Sequence, residues 1–148
     1  MVNGIIDPAI TAPASMVRLR MLNGDVKFSF NFQFTFADGS PFPAQMIATD
    51  AGYMTRTRQI ENILMSPGER TEWLVDLRGL EGDTIYVRNN VSGMPGGPGD
   101  IIGNSGTTNG YAVDRDLLRI VVGPSAGPLS PIIAFPINLH PTEQPPLS

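Results

Sequence analysis

Side chains suited to acid, nucleophilic or metal chemistry are scarce in this chain of 148 residues, which has no cysteine and a single histidine, His140. A thiol nucleophile, a disulfide, a zinc finger and a cysteine-ligated copper centre are all excluded from it. His140 stands in His140-Pro141-Thr142, inside a proline-rich stretch. A metal or a catalytic serine needs several groups converging on a rigid scaffold, and a histidine in a linker provides neither. The glycine-rich run Met94-Pro95-Gly96-Gly97-Pro98-Gly99 lacks the Gly-Lys-Ser/Thr ending of a phosphate loop, and the lone lysine, Lys27, is far away in sequence. Asp114 and Asp116 flank Arg115 at strand spacing and share a side. A solvated strand edge is the favoured reading there over a hydrolytic or calcium role. Met16, Met21, Met46 and Met65 fit strand core positions rather than a soft-metal loop. Asn90-Val91-Ser92 matches a glycosylation sequon, a pattern that chance alone supplies often.

Charge narrows the partners. Ten basic and 14 acidic residues give a formal net charge of −4 and a pI near 4.8. A nucleic-acid binder normally presents a basic face to phosphate, so nucleic acid is not expected as a partner. No apolar stretch approaches the ~20 residues that cross a bilayer, and no membrane partner is expected either. Met1-Val2-Asn3-Gly4 lacks the positive start and apolar run of a signal peptide, although a domain cut from a longer secreted protein would lack them too. The compartment stays open, and an extracytoplasmic parent protein is compatible with it. Arginine outnumbers lysine nine to one among the ten basic residues, a bias that suits bidentate, partly buried pairs.

The elements that would position any such residue repeat with a period of two. Phe28-Ser29-Phe30-Asn31-Phe32-Gln33-Phe34-Thr35-Phe36 places five rings on one face of a strand and polar residues on the other. Each buried ring contributes roughly 1.5–3 kcal/mol before entropy is subtracted, so that face must meet a second sheet. Met16 to Leu22 puts Val17, Leu19 and Met21 on one face and Arg18 and Arg20 on the other. Gln45–Thr49, Gln59–Met65, Thr71–Leu77, Thr84–Asn89 and Leu117–Val122 are further strand candidates. Asn23-Gly24, Asp38-Gly39, Ser66-Pro67-Gly68 and Glu81-Gly82-Asp83 form turns between them. The only helical expectation is a single turn within 52–60. Residues 92–110 read as a long loop, of a length that is usually functional. Residues 123–148, with seven prolines, read as a tail or interdomain linker following a domain over 1–122.

In this order, four blocks carry a family resemblance. Val17-Arg18-Leu19-Arg20-Met21-Leu22-Asn23-Gly24 follows the opening Val2-Asn3-Gly4. Asp38-Gly39 with Phe42 is similar to a "DG-x-P-F" turn, and Ile47-Ala48-Thr49-Asp50-Ala51-Gly52 to "I-A-S/T-D-G-G". Ser66-Pro67-Gly68-Glu69-Arg70-Thr71-Glu72-Trp73-Leu74-Val75-Asp76 is similar to "P-G-E-R-a-E-v-L-V-D". Together they resemble the second, middle cupredoxin-like domain of three-domain multicopper oxidases, the laccase and bilirubin-oxidase group. Residues 2–77 are covered well and Glu81 to Asn89 loosely. Ala51 departs from the pattern, as does Gly24-Asp25-Val26-Lys27, and the loop at 92–110 matches nothing in it.

The resemblance implies an all-β, Greek-key sandwich of the cupredoxin type without a copper site. It implies no catalytic, cofactor or metal residue in this chain. Copper would belong to the parent protein, whose His-X-His motifs and copper-binding cysteine lie in the first and third domains. The partners would be those flanking cupredoxin domains of the same polypeptide. The parent would oxidise phenolic, aromatic or metal-ion substrates and reduce oxygen to water. Arg18, Arg20, Asn23, Asp50, Glu69 and Arg70 are the structural or interdomain candidates, with ordinary intradomain pairing favoured for them. The rival reading is a stand-alone, copper-free binding or adhesion module that uses the 92–110 loop. A small carboxylate hydrolase is a more distant one.

Overall fold

A computed structural model describes residues 1–90, 114–125, 127, 135–137 and 139. Among them there are nine strands and no helix: β1 (Ala9–Pro13), β2 (Met16–Leu22), β3 (Phe30–Thr35), β4 (Gln45–Thr49), β5 (Gly52–Gln59), β6 (Asn62–Met65), β7 (Arg70–Asp76), β8 (Thr84–Asn89) and β9 (Arg115–Gly123). They form two sheets, one in the order β1-β9-β8-β3-β6 and the other β2-β7-β4-β5. All pairings are antiparallel except that of β1 with β9.

The alternating phenylalanines do what their period demands. Phe32 and Phe34 are buried, Phe30 and Phe36 pack partly against the core, and the Phe34 ring meets Trp73 of the opposite sheet at 5.1 Å. Trp73 is central to the second sheet, flanked inward by Val75 and Met46, and its indole N–H donates to Thr71 Oγ1 at 2.9 Å. That bond removes the cost of burying the polar end of the ring. Phe28 stands outside this cluster, with the Lys27 ammonium 5.1 Å from its ring centre.

Two sequence expectations require correction. The segment 52–60 holds no helical turn, because Gly52–Gln59 pairs with β4 as strand β5. The expected strand Gln59–Met65 is two elements, with β5 ending at Gln59 and β6 starting at Asn62. The polar side of β3 is buried at Asn31 and Thr35, each 1% exposed. Asn31 is held there by Asn89 and Asn90, whose Oδ1 and backbone O accept its backbone and side-chain N–H groups at 2.8 and 2.7 Å. The loop at 92–110, most of the tail and His140 lie outside the described residues.

The end of the chain returns to the second sheet. Thr57 N–H donates to Ile137 O at 3.0 Å, and Leu139 N–H donates to Thr55 O at 2.9 Å. Ile137 N–H also reaches Thr57 Oγ1 at 3.0 Å. Ile137 and Leu139 thus bond to the outer edge of β5 in antiparallel sense.

Candidate functional site

The period-two pattern of β2 sends Arg18 and Arg20 to the outer face of the four-stranded sheet while Val17, Leu19 and Met21 pack inward. Sheet register decides what they meet. Arg20 lies opposite Glu72, Glu72 opposite Ala48, and Ala48 opposite Tyr53, which makes one row across β2, β7, β4 and β5. A methyl group at Ala48 leaves room for the long side chains on either side of it.

Glu72 receives both arginines. Arg18 Nη2 makes a short ion pair with Glu72 Oε2, with Nε donating to the same oxygen at 2.9 Å, and Arg20 Nε meets Oε1 at 3.1 Å. Arg18 Nη2 also donates to the Tyr53 hydroxyl at 2.6 Å, its guanidinium carbon 5.6 Å from that ring centre. Hydrogen bonding to Glu72 first, then to Tyr53, holds the Arg18 guanidinium above its ordinary pKa. Glu72 is 17% exposed, against 47% for Arg18 and 79% for Arg20. One shielded carboxylate therefore serves two more exposed cations.

Asp50 and Arg70 form a second pair beside the first. Asp50 Oδ1 meets Arg70 Nη2 at 2.8 Å, and its Oδ2 accepts the Arg70 backbone N–H at 3.2 Å. Asp50 sits in the turn between β4 and β5, so the pair ties that turn to the start of β7. Arg20 with Glu72 and Arg70 with Asp50 line a shallow depression of about 470 Å³ together with Thr49 and Leu22.

Asn23 and Glu69 do different work. Asn23 is 2% exposed, and its Nδ2 donates to Phe28 O at 2.9 Å and Met65 O at 3.0 Å while its Oδ1 accepts from Asp25 N–H at 3.1 Å. Its backbone N–H donates to Glu69 O at 3.0 Å, and its carbonyl accepts from Gly68 N–H at 2.8 Å. The Glu69 carboxylate takes the Ser66 backbone N–H across the same turn. Gly68 holds φ at +84°, which a side chain would oppose. Asn23 thereby joins the end of β2 in one sheet to the end of β6 in the other.

The six sequence candidates thus fall into two groups, Arg18, Arg20, Asp50 and Arg70 on the outer face and Asn23 with Glu69 at the inter-sheet turn. Glu72 and Tyr53 are the members that spacing alone did not single out. Glu72 was legible as the polar position alternating with buried Thr71 and Trp73, but its partner depends on β2–β7 register. Asp116 Oδ1 accepts from Arg88 Nε at 2.8 Å, so this carboxylate serves an ion pair between β8 and β9. Asn90 Nδ2 donates to Gln33 Oε1 at 3.1 Å. Among the described residues no group of three or more His, Cys, Asp or Glu converges as a metal site, and no helix is long and apolar enough to cross a membrane.

Comparison with known proteins agrees with this architecture. No family model matches the chain. It is 32% identical over 90 residues to a multicopper oxidase, mco, of Staphylococcus epidermidis, covering 61% of this chain and 19% of that protein. It is 38% identical over 77 residues to the cell division protein FtsP of Histophilus somni, covering 52% of this chain and 16% of that one. Among solved structures, the laccase-like multicopper oxidase CueO of Ochrobactrum sp. superposes with a TM-score of 0.66 at 29% identity, over 97% of this chain and 27% of that one. The McoA multicopper oxidase of Aquifex aeolicus, at 20% identity and a TM-score of 0.67, shares the fold over 95% of this chain and 27% of its own. The chain spans about a fifth of the length of the curated relatives it matches. It is a cupredoxin-like domain homologous to the multicopper oxidases.

Proposed function

We propose that this chain is the middle, non-catalytic domain of a laccase-like multicopper oxidase. It holds the copper-bearing first and third domains at their working separation, in an enzyme that oxidises phenolic, aromatic or metal-ion substrates and reduces oxygen to water. One observation carries the reading: a chain homologous to multicopper oxidases has no cysteine and one histidine. Copper centres of this class need a thiolate and several imidazoles, so the donors present do not fit the metal. The chemistry is then assigned to flanking domains of the same polypeptide, and this chain contributes position.

Residues 1–122 are read as the sandwich and 123–148 as the segment leading to the next domain. The return of Ile137 and Leu139 to β5 supports this, because a linker fastened to one sheet edge fixes the direction in which the chain leaves. Arg18, Arg20, Asp50 and Arg70 are read as clamps across the outer face of that sheet, and Asn23 with Glu69 as the clamp between sheets. Rigidity is what such a spacer requires, since electron transfer and substrate access both depend on fixed distances between its neighbours.

The test is the size of the native polypeptide that carries this sequence, read by immunoblot of source cells. A band of roughly three domain lengths is expected. A band no larger than this chain overturns the reading and leaves a copper-free binding module in its place.

A further inference from the structure

The two edges of the four-stranded sheet are treated differently. The β5 edge is covered by Ile137 and Leu139 of the same chain, whereas among the described residues β2 pairs only with β7. Leu77 N–H donates to Ser15 O, and Asn23 N–H to Glu69 O, each at 3.0 Å. These bonds continue the β2–β7 register, in which Val17, Leu19 and Met21 face Val75, Trp73 and Thr71. Antiparallel ladders alternate, so the odd-numbered residues bond to β7, while the N–H and C=O of Met16, Arg18, Arg20 and Leu22 point out of the open edge. Arg18 and Arg20 present their side chains beside those groups and share a single carboxylate, Glu72. The edge therefore carries one uncompensated positive charge in a chain of net charge −4.

We propose that the open edge of β2 is a docking site for an extended segment of a partner polypeptide, with carboxylates at alternate positions. The segment adds as a strand through the outward backbone groups, and its carboxylates lie over Arg18 and Arg20. Charge selects this occupant over two others. Antiparallel pairing with a second copy would join even positions to even positions and set Arg18 against Arg18 or Arg20, a like-charge contact that disfavours it. The chain's own residues outside the described set hold Asp100 and Glu143 as their carboxylates, and no two at strand spacing.

The experiment titrates the whole 148-residue chain into fluorescein-labelled peptides and follows anisotropy. The probe is a seven-residue alternation of valine and glutamate. Its controls are the lysine counterpart and a form N-methylated on the amides of one edge, then of the other. Saturable binding of the glutamate peptide is expected. Lysine substitution and N-methylation of the β2-facing edge should abolish it, and Arg18→Gln with Arg20→Gln should weaken it roughly tenfold, as two exposed ion pairs predict. Equal binding of every N-methylated form would reduce the contact to charge adhesion and overturn strand addition. Equal binding of the lysine peptide, or no saturation at millimolar peptide, overturns the proposal outright. The peptide controls use the unaltered chain, so they decide even where the double variant folds poorly. The native-size immunoblot is independent of this outcome.

Discussion

At Asn23 one amide donates to two carbonyls, Phe28 O and Met65 O, beneath the turn that joins the sheets. Asn23→Ala strips both at once, and an orphaned buried polar group costs about 1–3 kcal/mol. A loss of about 2–4 kcal/mol is therefore expected, read as a lowered urea midpoint at unchanged slope. Gly24 is the control. It stands in open space at a φ that side chains adopt, so Gly24→Ala should be neutral or stabilise by about 0.5 kcal/mol. A large loss at Gly24 would mean that the turn, rather than the amide, carries the effect. Asn-Gly was legible as a turn in the sequence. That the asparagine spans two sheets was not, because Met65 lies 42 residues away. Asp76 supplies the pH dependence. Hydrogen bonding to Arg78 holds its carboxyl below the usual aspartate range, against the opposing pull of partial burial. A depressed folded-state pKa adds stability above the unfolded value of about 3.9 and loses it as pH falls through the folded value. Stability should be level from neutral pH to about 5 and then decline. In Asp76→Asn the acid decline should be shallower, as followed by thermal unfolding in a pH series.

Elements were legible where period and burial agree. Gln45–Thr49 and Thr84–Asn89 match strands β4 and β8 at both ends, because each alternates or is apolar between clear turn residues. Strand β5 was hidden, since Tyr53, Thr55, Arg56, Arg58 and Gln59 are exposed and the segment has no apolar face to reveal its period. Strand β1 was hidden too, with Ala12 its only buried residue. Both are edge positions that exist through pairing with a neighbour rather than through their own hydrophobicity. The bonding of Ile137 and Leu139 to β5 is a still weaker signal, written in proline-rich sequence. Its contribution can be isolated. Leu139→Pro removes the N–H that Thr55 O accepts, and a backbone hydrogen bond contributes about 0.5–1.5 kcal/mol. Amide exchange at Thr57, which donates to Ile137 O, should accelerate by about three- to tenfold. Unchanged exchange would show that the tail does not hold this edge in solution.

For the whole molecule the decisive quantity is the donor set. The sandwich buries aromatic and aliphatic side chains between two sheets and pairs six arginines with five carboxylates: Arg18 and Arg20 with Glu72, Arg70 with Asp50, Arg78 with Asp76, Arg88 with Asp116, and Arg119 with Asp7. A carboxylate hydrogen-bonded to a guanidinium is a poor candidate for a cupric ion, because binding would have to displace the arginine beside it and leave that cation unpaired. With no thiolate and one imidazole in the chain, two imidazole donors cannot converge within it. Titration with copper(II) should accordingly give weak, non-stoichiometric binding without intense blue absorption, because that band requires a copper–thiolate bond. The His140→Ala variant sharpens the outcome. Residual weak binding that vanishes with His140 comes from a single imidazole and agrees with the expectation. One tight equivalent that survives the substitution would require a site assembled from carboxylates rather than from the imidazole. The spacer reading would then give way to a domain that carries metal itself.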